Sequence, residues 1–366
     1  MIKYKFSNNL DLEFSKALKK RVNHYFASTN IDRRSDSKMH SKTLLAFFSY
    51  LLIYLVILFA GINQLWILFI LWAMLGLGQA LIGMTVMHDT VHGAYSKNKL
   101  VNLLLELPIL LIGVESKVWR IEHNILHHTY TNIEGVDQDI APRYVFRFSN
   151  NQNKRWFHRY QHIYAVFFYS LLLVEWLTFK DFVKVHKYWR NGLIKTVREA
   201  LFIAASILVK KSLFYLVFLV IPLYILTFKA YIIILMFLTM LSVAGVIMTI
   251  IFQTAHVIPG TSFNDQDEPL IDQNWHVYQM QTTANFASDN RIVTYLLGGL
   301  NFQIEHHLFP FVCHVHYPKI APIVRQTAAE FNIPYHYNET IWDAASGHFK
   351  LLRYLGRNSD GHCRVQ

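Results

Sequence analysis

Long apolar runs alternate with basic, polar segments along this chain. Residues 44–60 and 65–87 are apolar runs separated only by Gly61, Ile62, Asn63 and Gln64, and residues 213–228 and 230–252 form a second pair separated by Lys229. Each is near or above the length that crosses about 30 Å of hydrocarbon at helical rise. The pattern predicts four transmembrane helices in two hairpins. The third run is the shortest, and a start within 200–208 would lengthen it, with Lys210 and Lys211 snorkelling to the interface. Two further stretches are weaker: 100–114 carries Glu106 and Pro108, and 163–179 carries Glu175. Ahead of the first run, Leu10, Phe14, Leu18, Val22 and Phe26 recur every four residues beside Lys16, Lys19, Lys20 and Arg21. That spacing predicts an amphipathic helix, lying on the membrane surface or packed on a cytoplasmic domain; both readings stand at this point.

Composition agrees with a membrane protein: of 366 residues 53% are apolar and 16% charged, with a positive mean hydropathy. The net charge of +11 is unevenly placed. Lys and Arg concentrate in 1–43, 97–211 and 291–366, while the two short loops inside the hairpins are almost free of them. This asymmetry puts those loops outside and the rest of the polar chain in the cytoplasm, facing anionic headgroups. Residues 1–43 do not read as a signal peptide, being polar and basic throughout. No basic helix motif or stacking module accompanies the charge, so nucleic acid is a poor partner. Cys313 and Cys363 imply no disulfide framework, zinc knuckle or iron–sulfur cluster. The expected all-α organisation is a cytoplasmic N-terminal segment (1–43), hairpin one (44–87), a cytoplasmic region with interfacial helices (88–199), hairpin two (200–256) and a cytoplasmic C-terminal region (257–366).

The candidate chemistry lies in three histidine clusters just outside apolar runs: His88 and His92 in HDTVH, His123, His127 and His128 in HNILHH, and His306 and His307 in QIEHH, which opens with Gln303. Imidazole is the commonest protein ligand for redox-capable metals. A spacing of four stacks two rings on one helix face. Seven imidazoles exceed the needs of one ion, which suggests two. Clusters that share a site must share a membrane face, so 100–114 and 163–179 are read as interfacial or re-entrant rather than spanning. His256 ends the fourth apolar run, in the place His88 takes in the first hairpin, and joins the set as an eighth imidazole. Asp89 and Glu305 lie inside clusters and are expected to orient imidazole N–H groups. The all-nitrogen donor set suits iron, although zinc and copper share it. A di-iron centre at the mouth of an apolar protein suggests O2 activation against a membrane-soluble substrate.

These boxes, HDTVH, WRIEHNILHHTYTN and NFQIEHHLFP, together with WHVYQMQTTANF and CHVHYPKIAPIVRQTA, resemble the membrane fatty acid desaturases from about residue 10 to about residue 340. Gln303, where other branches carry histidine, is similar to the bacterial front-end, linoleoyl-CoA desaturase-like branch. The resemblance implies two Fe ions on His88, His92, His123, His127, His128, His256, His306 and His307, with Gln303 as a weaker ligand or one acting through water. It implies insertion of a cis double bond into an acyl chain linked to CoA or lipid, using O2 and two electrons, near position 5 or 6. The HPGG haem motif of fused cytochrome domains is absent, which implies a separate electron donor such as a ferredoxin or cytochrome. Trp119, Asn124, Asn132, Asp137 and Asp139 surround the second box, where family pattern and loop shaping explain them equally. Trp275, Gln279, Thr282, Thr283 and Asn285 are expected to line the substrate path. His314 and His316 read as structural, His158 and His162 as a surface pair, and His276 as ambiguous. His24, His40, His186, His336, His348 and His362 read as surface residues. Two alternatives are a His-box hydroxylase acting on an alkane, sterol or carotenoid and, from another class, a metal transporter or receptor.

Overall fold

A computed structural model describes residues 4–7, 11–106, 113–140, 144–264 and 270–358. Leu10, His362 and Cys363 lie outside the described residues, as does part of the stretch 100–114. The chain is mostly helical. It divides into two compact units, one made of Ser35–Ile121 with Val166–Thr249, the other of Ile2–Arg34, Glu122–Ala165 and Ile250–Gln366.

Four helices are long and apolar enough to cross a membrane: Ser37–Phe59, Leu65–Val91, Val197–Ile225 and Ala230–His256. The first starts ahead of its apolar run because the Asp36 side chain accepts the Met39 N–H at 2.9 Å, capping the first turn. The third starts at Val197, where Thr196 accepts the Glu199 N–H at 3.1 Å. The short apolar run 213–228 is therefore, as far as Ile225, only the last part of a longer helix. In the first unit the helices approach closely where side chains are missing. A Cβ at Gly76 would overlap the Met240 carbonyl, and one at Gly78 would lie 2.9 Å from the Tyr50 ring.

Lys210 and Lys211 do not snorkel. Lys211 is buried against the Asp181 carboxylate at 3.0 Å, and Lys210 reaches Glu115 at 2.8 Å. A charge this deep is tolerated when a carboxylate sits beside it. The stretch around 163–179 falls in two helical pieces, Trp156–Ser170 and Leu172–Arg190, bent by 52°. The described part of 100–114 is the short helix Lys99–Glu106, none of whose residues is buried.

In the second unit, the helix Leu12–Thr29 buries Phe14, Leu18, Val22 and Phe26. They pack into one core with Val277, Met280, Phe302, Ile304, Leu308 and the buried face of the helix Tyr317–Glu330. The amphipathic stripe is thus a packing face; burying such side chains contributes roughly 1.5–3 kcal/mol each. Arg21, beside this face, pairs with Glu330 of the helix Tyr317–Glu330 at 2.6 Å. Two short parallel pairings, Lys5–Phe6 with Leu270–Ile271 and Asn285–Phe286 with Tyr337–Asn338, tie distant stretches of this unit together.

Two histidines expected on the surface are buried. His158 is 2% exposed and bonds the Tyr144 carbonyl at 3.0 Å, and its own backbone carbonyl lies against Gly356 of the C-terminal helix Ile341–Arg357. His348, on that same helix, is fully buried, with Nδ1 donating to the Val257 carbonyl at 2.8 Å. Its helix is strongly amphipathic, and position 348 falls on the apolar side with Ala344, Leu351, Leu352 and Leu355. Burial lowers the His348 pKa to about 4, against a partial rise from the Val257 bond. At neutral pH the ring is uncharged in both folded and unfolded chain. Below about pH 6.5 the unfolded chain takes up a proton that the folded one refuses, so stability falls as pH drops toward 4. His348→Gln is expected to flatten that acid loss relative to wild type while lowering stability at pH 7.5 by roughly 1–3 kcal/mol. Thermal unfolding at several pH values in detergent checks it; parallel curves would show that His348 is not the group responsible.

Candidate metal centre

The second unit gathers histidines from three sequence regions. His127 ends a wide-turned π-helical segment, Arg120–His127, while His256 closes the long helix Ala230–His256 and His307 lies on the short helix Gln303–Leu308. The three rings lie at centroid distances of 4.8, 4.8 and 4.9 Å, and one nitrogen from each falls within 4.8 Å of the others. All three residues are fully buried. Beside them, the Nε2 atoms of His123 and His128 are 3.3 Å apart, and the His128 and His306 rings are 4.5 Å apart. The π-helical turn explains how the second box serves both groups. The His128 N–H bonds the His123 carbonyl at 3.0 Å, five residues back. A five-residue turn brings 123, 127 and 128 onto one face, where a regular α-helix would turn one of them away.

The opposite side of nearly every ring is held. His127 Nδ1 lies 2.9 Å from Asp137 Oδ2, and His123 Nδ1 2.7 Å from Asp139 Oδ2. His307 Nδ1 bonds Gln279 Oε1 at 2.8 Å, His256 Nδ1 bonds the Thr282 carbonyl at 3.2 Å, and His306 Nδ1 meets the Tyr317 hydroxyl at 3.1 Å. Such partners fix ring orientation and tautomer, and they leave Nε2 aimed at the shared space. Among the described residues, the Nε2 atoms of His127, His256 and His307 are buried without a hydrogen-bond partner. Three orphaned nitrogens converging in a buried place demand an explanation, and a bound cation supplies one. Burial and the neighbouring rings push the His307 pKa well down, which keeps it in the neutral form that binds metal. For His127, burial opposes the charged ring, but the Asp137 carboxylate more than offsets it and moves the pKa up. The residues present fit a nitrogen-ligated transition metal.

In the first unit, the helix from Leu65 carries a π-helical stretch, Gly83–Met87, directly before His88. His88 and His92 then face each other at 4.8 Å, as their spacing of four predicts, with Trp119 against both rings at 5.9 and 6.5 Å. Asp89 is buried on the same turn, and its carbonyl accepts the Ala94 N–H.

Several expected roles change. Glu305 does not turn to an imidazole: its oxygens accept from Asn285 Nδ2 at 2.7 Å and the Tyr335 hydroxyl at 3.0 Å, and burial raises its pKa to about 7. Its helix presents the neighbouring positions 306 and 307 to the cluster, which points 305 the other way. Asn285, fully buried, also accepts the Ile304 N–H at 2.9 Å, so it braces the third box from behind. Gln279 and Thr282 hold His307 and His256, as described, while the Thr283 hydroxyl bonds the Gln279 carbonyl just past the end of the helix Trp275–Thr282. Trp275 is half-buried beside His276, and Asn124 is half-buried next to His123. Gln303 is 1% exposed in the first turn of the third-box helix. The residues that sequence reasoning left undecided, Asp137 and Asp139, hold two of the rings, and Tyr317 was missed altogether. These contacts cross loops of 10 to 16 residues, where no periodicity marks them.

The sequence model described as fatty acid desaturase matches residues 64–339, most of the chain and all three boxes. The chain belongs to the fatty acid desaturase family. It is therefore an oxidoreductase of lipid metabolism, and the desaturase reading prevails over the hydroxylase and transporter alternatives. The desaturase is 34% identical to an sn-1 linoleoyl-lipid 6-desaturase of Arthrospira platensis over 95% of this chain and 94% of that one. It is 32% identical to an acyl-lipid (8-3)-desaturase of Physcomitrium patens, over 94% of this chain and 72% of the relative. A second sn-1 linoleoyl-lipid 6-desaturase, from Synechocystis, is 31% identical over 94% and 96% of the two chains. Its family is metal-dependent, and the histidine clusters of this desaturase are where a metal fits.

Proposed function

We propose that this desaturase inserts a cis double bond at position 5 or 6 of an already unsaturated, lipid-linked acyl chain, with two Fe ions held by His88, His92, His123, His127, His128, His256, His306 and His307. The observation that carries the metal part is the set of orphaned Nε2 atoms on His127, His256 and His307. His88 and His92 join the set on the strength of the HDTVH box, and Gln303 adds an amide ligand or holds a water. When bound, such an iron pair supplies the reduction of O2 by two electrons to an oxidant able to take hydrogen from an unactivated C–H bond. The chain's own part is to bind and orient: Asp137, Asp139, Gln279, the Thr282 carbonyl and Tyr317 fix five of the rings. The burial of these rings keeps bulk water from them. The choice of a lipid-linked chain and of the carboxyl-proximal position is supported by the two cyanobacterial relatives, both sn-1 linoleoyl-lipid 6-desaturases.

The same reading includes the two-hairpin topology, with Trp156–Ser170 and Leu172–Arg190 lying at the interface. It puts the termini and histidine boxes on the cytoplasmic side of a bacterial inner membrane, and it requires a separate electron donor such as a ferredoxin or cytochrome. Expression in a host fed defined fatty acids, with double-bond positions located by mass spectrometry, tests it. The expected product from linoleate carries a new bond at position 5 or 6. A new bond at position 9 of stearate, with linoleate untouched, would overturn the carboxyl-proximal assignment and leave the desaturase family assignment standing.

A further inference from the structure

We propose that Asn132 is a positioning residue that fixes His127 and His256 relative to each other. The inference rests on the reading that these two rings hold metal. Asn132 follows the second box by four residues, is 2% exposed, and sits in the left-handed region with φ 58°. Asparagine is one of the few residues that adopts this conformation readily, so loop shaping would explain its presence. Its partners say more. Its backbone N–H donates at 2.9 Å to Asp137 Oδ2, the same oxygen that holds His127 Nδ1. Its side-chain Nδ2 faces three carbonyls: those of His256 at 3.1 Å, Ser262 at 3.0 Å and Thr282 at 3.4 Å. The Thr282 carbonyl is also the one that holds His256 Nδ1.

One residue therefore joins three things. It anchors the carboxylate that orients His127, it caps the helix end that carries His256, and it touches the acceptor that orients the His256 ring. The Asn264 N–H completes the node by donating to the Asn132 carbonyl at 3.2 Å. Turn formation alone needs none of the three side-chain contacts, because glycine supplies the same φ without them.

The test uses the full-length protein in detergent, wild type against Asn132→Gly and Asn132→Asp. Glycine keeps the backbone conformation and removes the amide. Aspartate keeps the shape but sets a carboxylate oxygen against three carbonyls. Retention of ferrous iron against a competing chelator is expected to fall by about tenfold or more in both, with kcat reduced and KM for the acyl substrate unchanged. The Mössbauer spectrum of the iron-loaded Asn132→Gly protein is expected to change. Arg147→Lys, in the same unit and bonded to backbone carbonyls at Asn150, Gln152, Leu355 and Asn358, is the control for a general loss of stability. Iron retention within twofold of wild type in Asn132→Gly would overturn the proposal. So would an equal loss of iron and an equal spectral change in an Arg147→Lys protein of matched melting temperature. Failure of the wild type itself to bind iron would instead sink the metal reading on which the inference stands.

Discussion

Replacement of His307 or His127 by alanine is expected to abolish desaturation while leaving the chain inserted in the membrane. Each substitution removes one of three buried Nε2 atoms that converge without other partners. Two nitrogens cannot hold the ion in the same geometry, and a solvent molecule would have to enter a fully buried place. Activity is expected to fall by more than about 100-fold, the upper range seen when even a supporting residue of a metal site is lost. The four long apolar helices are untouched by either change, so insertion is preserved. Double-bond formation in membranes carrying equal amounts of protein, together with iron content after purification, provides the measurement. More than a trace of product from either variant would mean that the ligand set is wrong.

Asp137→Asn is expected to lower iron affinity by roughly 10–100-fold. The carboxylate accepts four bonds: from His127 Nδ1 at 2.9 Å and the Asn132 N–H at 2.9 Å on one oxygen, and from the Asp139 and Ile140 N–H groups at 3.0 and 3.3 Å on the other. An amide keeps one accepting oxygen and turns an NH2 group toward two of those donors. Burial favours protonation of Asp137, but the His127 ring and these bonds more than offset it and hold the pKa below the usual carboxylate range. The ionised form therefore contributes stability above about pH 4, and that contribution is lost as pH falls through the depressed folded value. Asp139→Asn, which removes the carboxylate hydrogen-bonded to His123 rather than the one on His127, is the informative comparison and is expected to cost less. Equal iron affinity in wild type and Asp137→Asn, measured by chelator competition, would show that the carboxylate does not set the basicity of His127.

What the sequence by itself determined is whatever repeats locally. Hydropathy located four helices because a bilayer core demands about 20 apolar residues whatever lies around them. A spacing of four brought His88 and His92 face to face because a helical turn repeats at that interval. The same interval marked Phe14, Leu18, Val22 and Phe26 as one face, but what that face meets, the core of the second unit, required the fold. Periodicity also failed where the chain departs from the α-helical period: the π-helical turn at Arg120–His127 pairs His123 with His128, five apart. Tertiary structure alone decided which groups hold the rings. Asp137 rather than Glu305 takes a ring nitrogen, Gln279 and Thr282 hold two further rings, and His348 and His158 are buried rather than exposed. Each of these outcomes depends on contacts between residues far apart in sequence, made through irregular loops. Hydropathy and spacing describe what a segment needs from its surroundings, and only the folded chain supplies the particular atoms that meet that need.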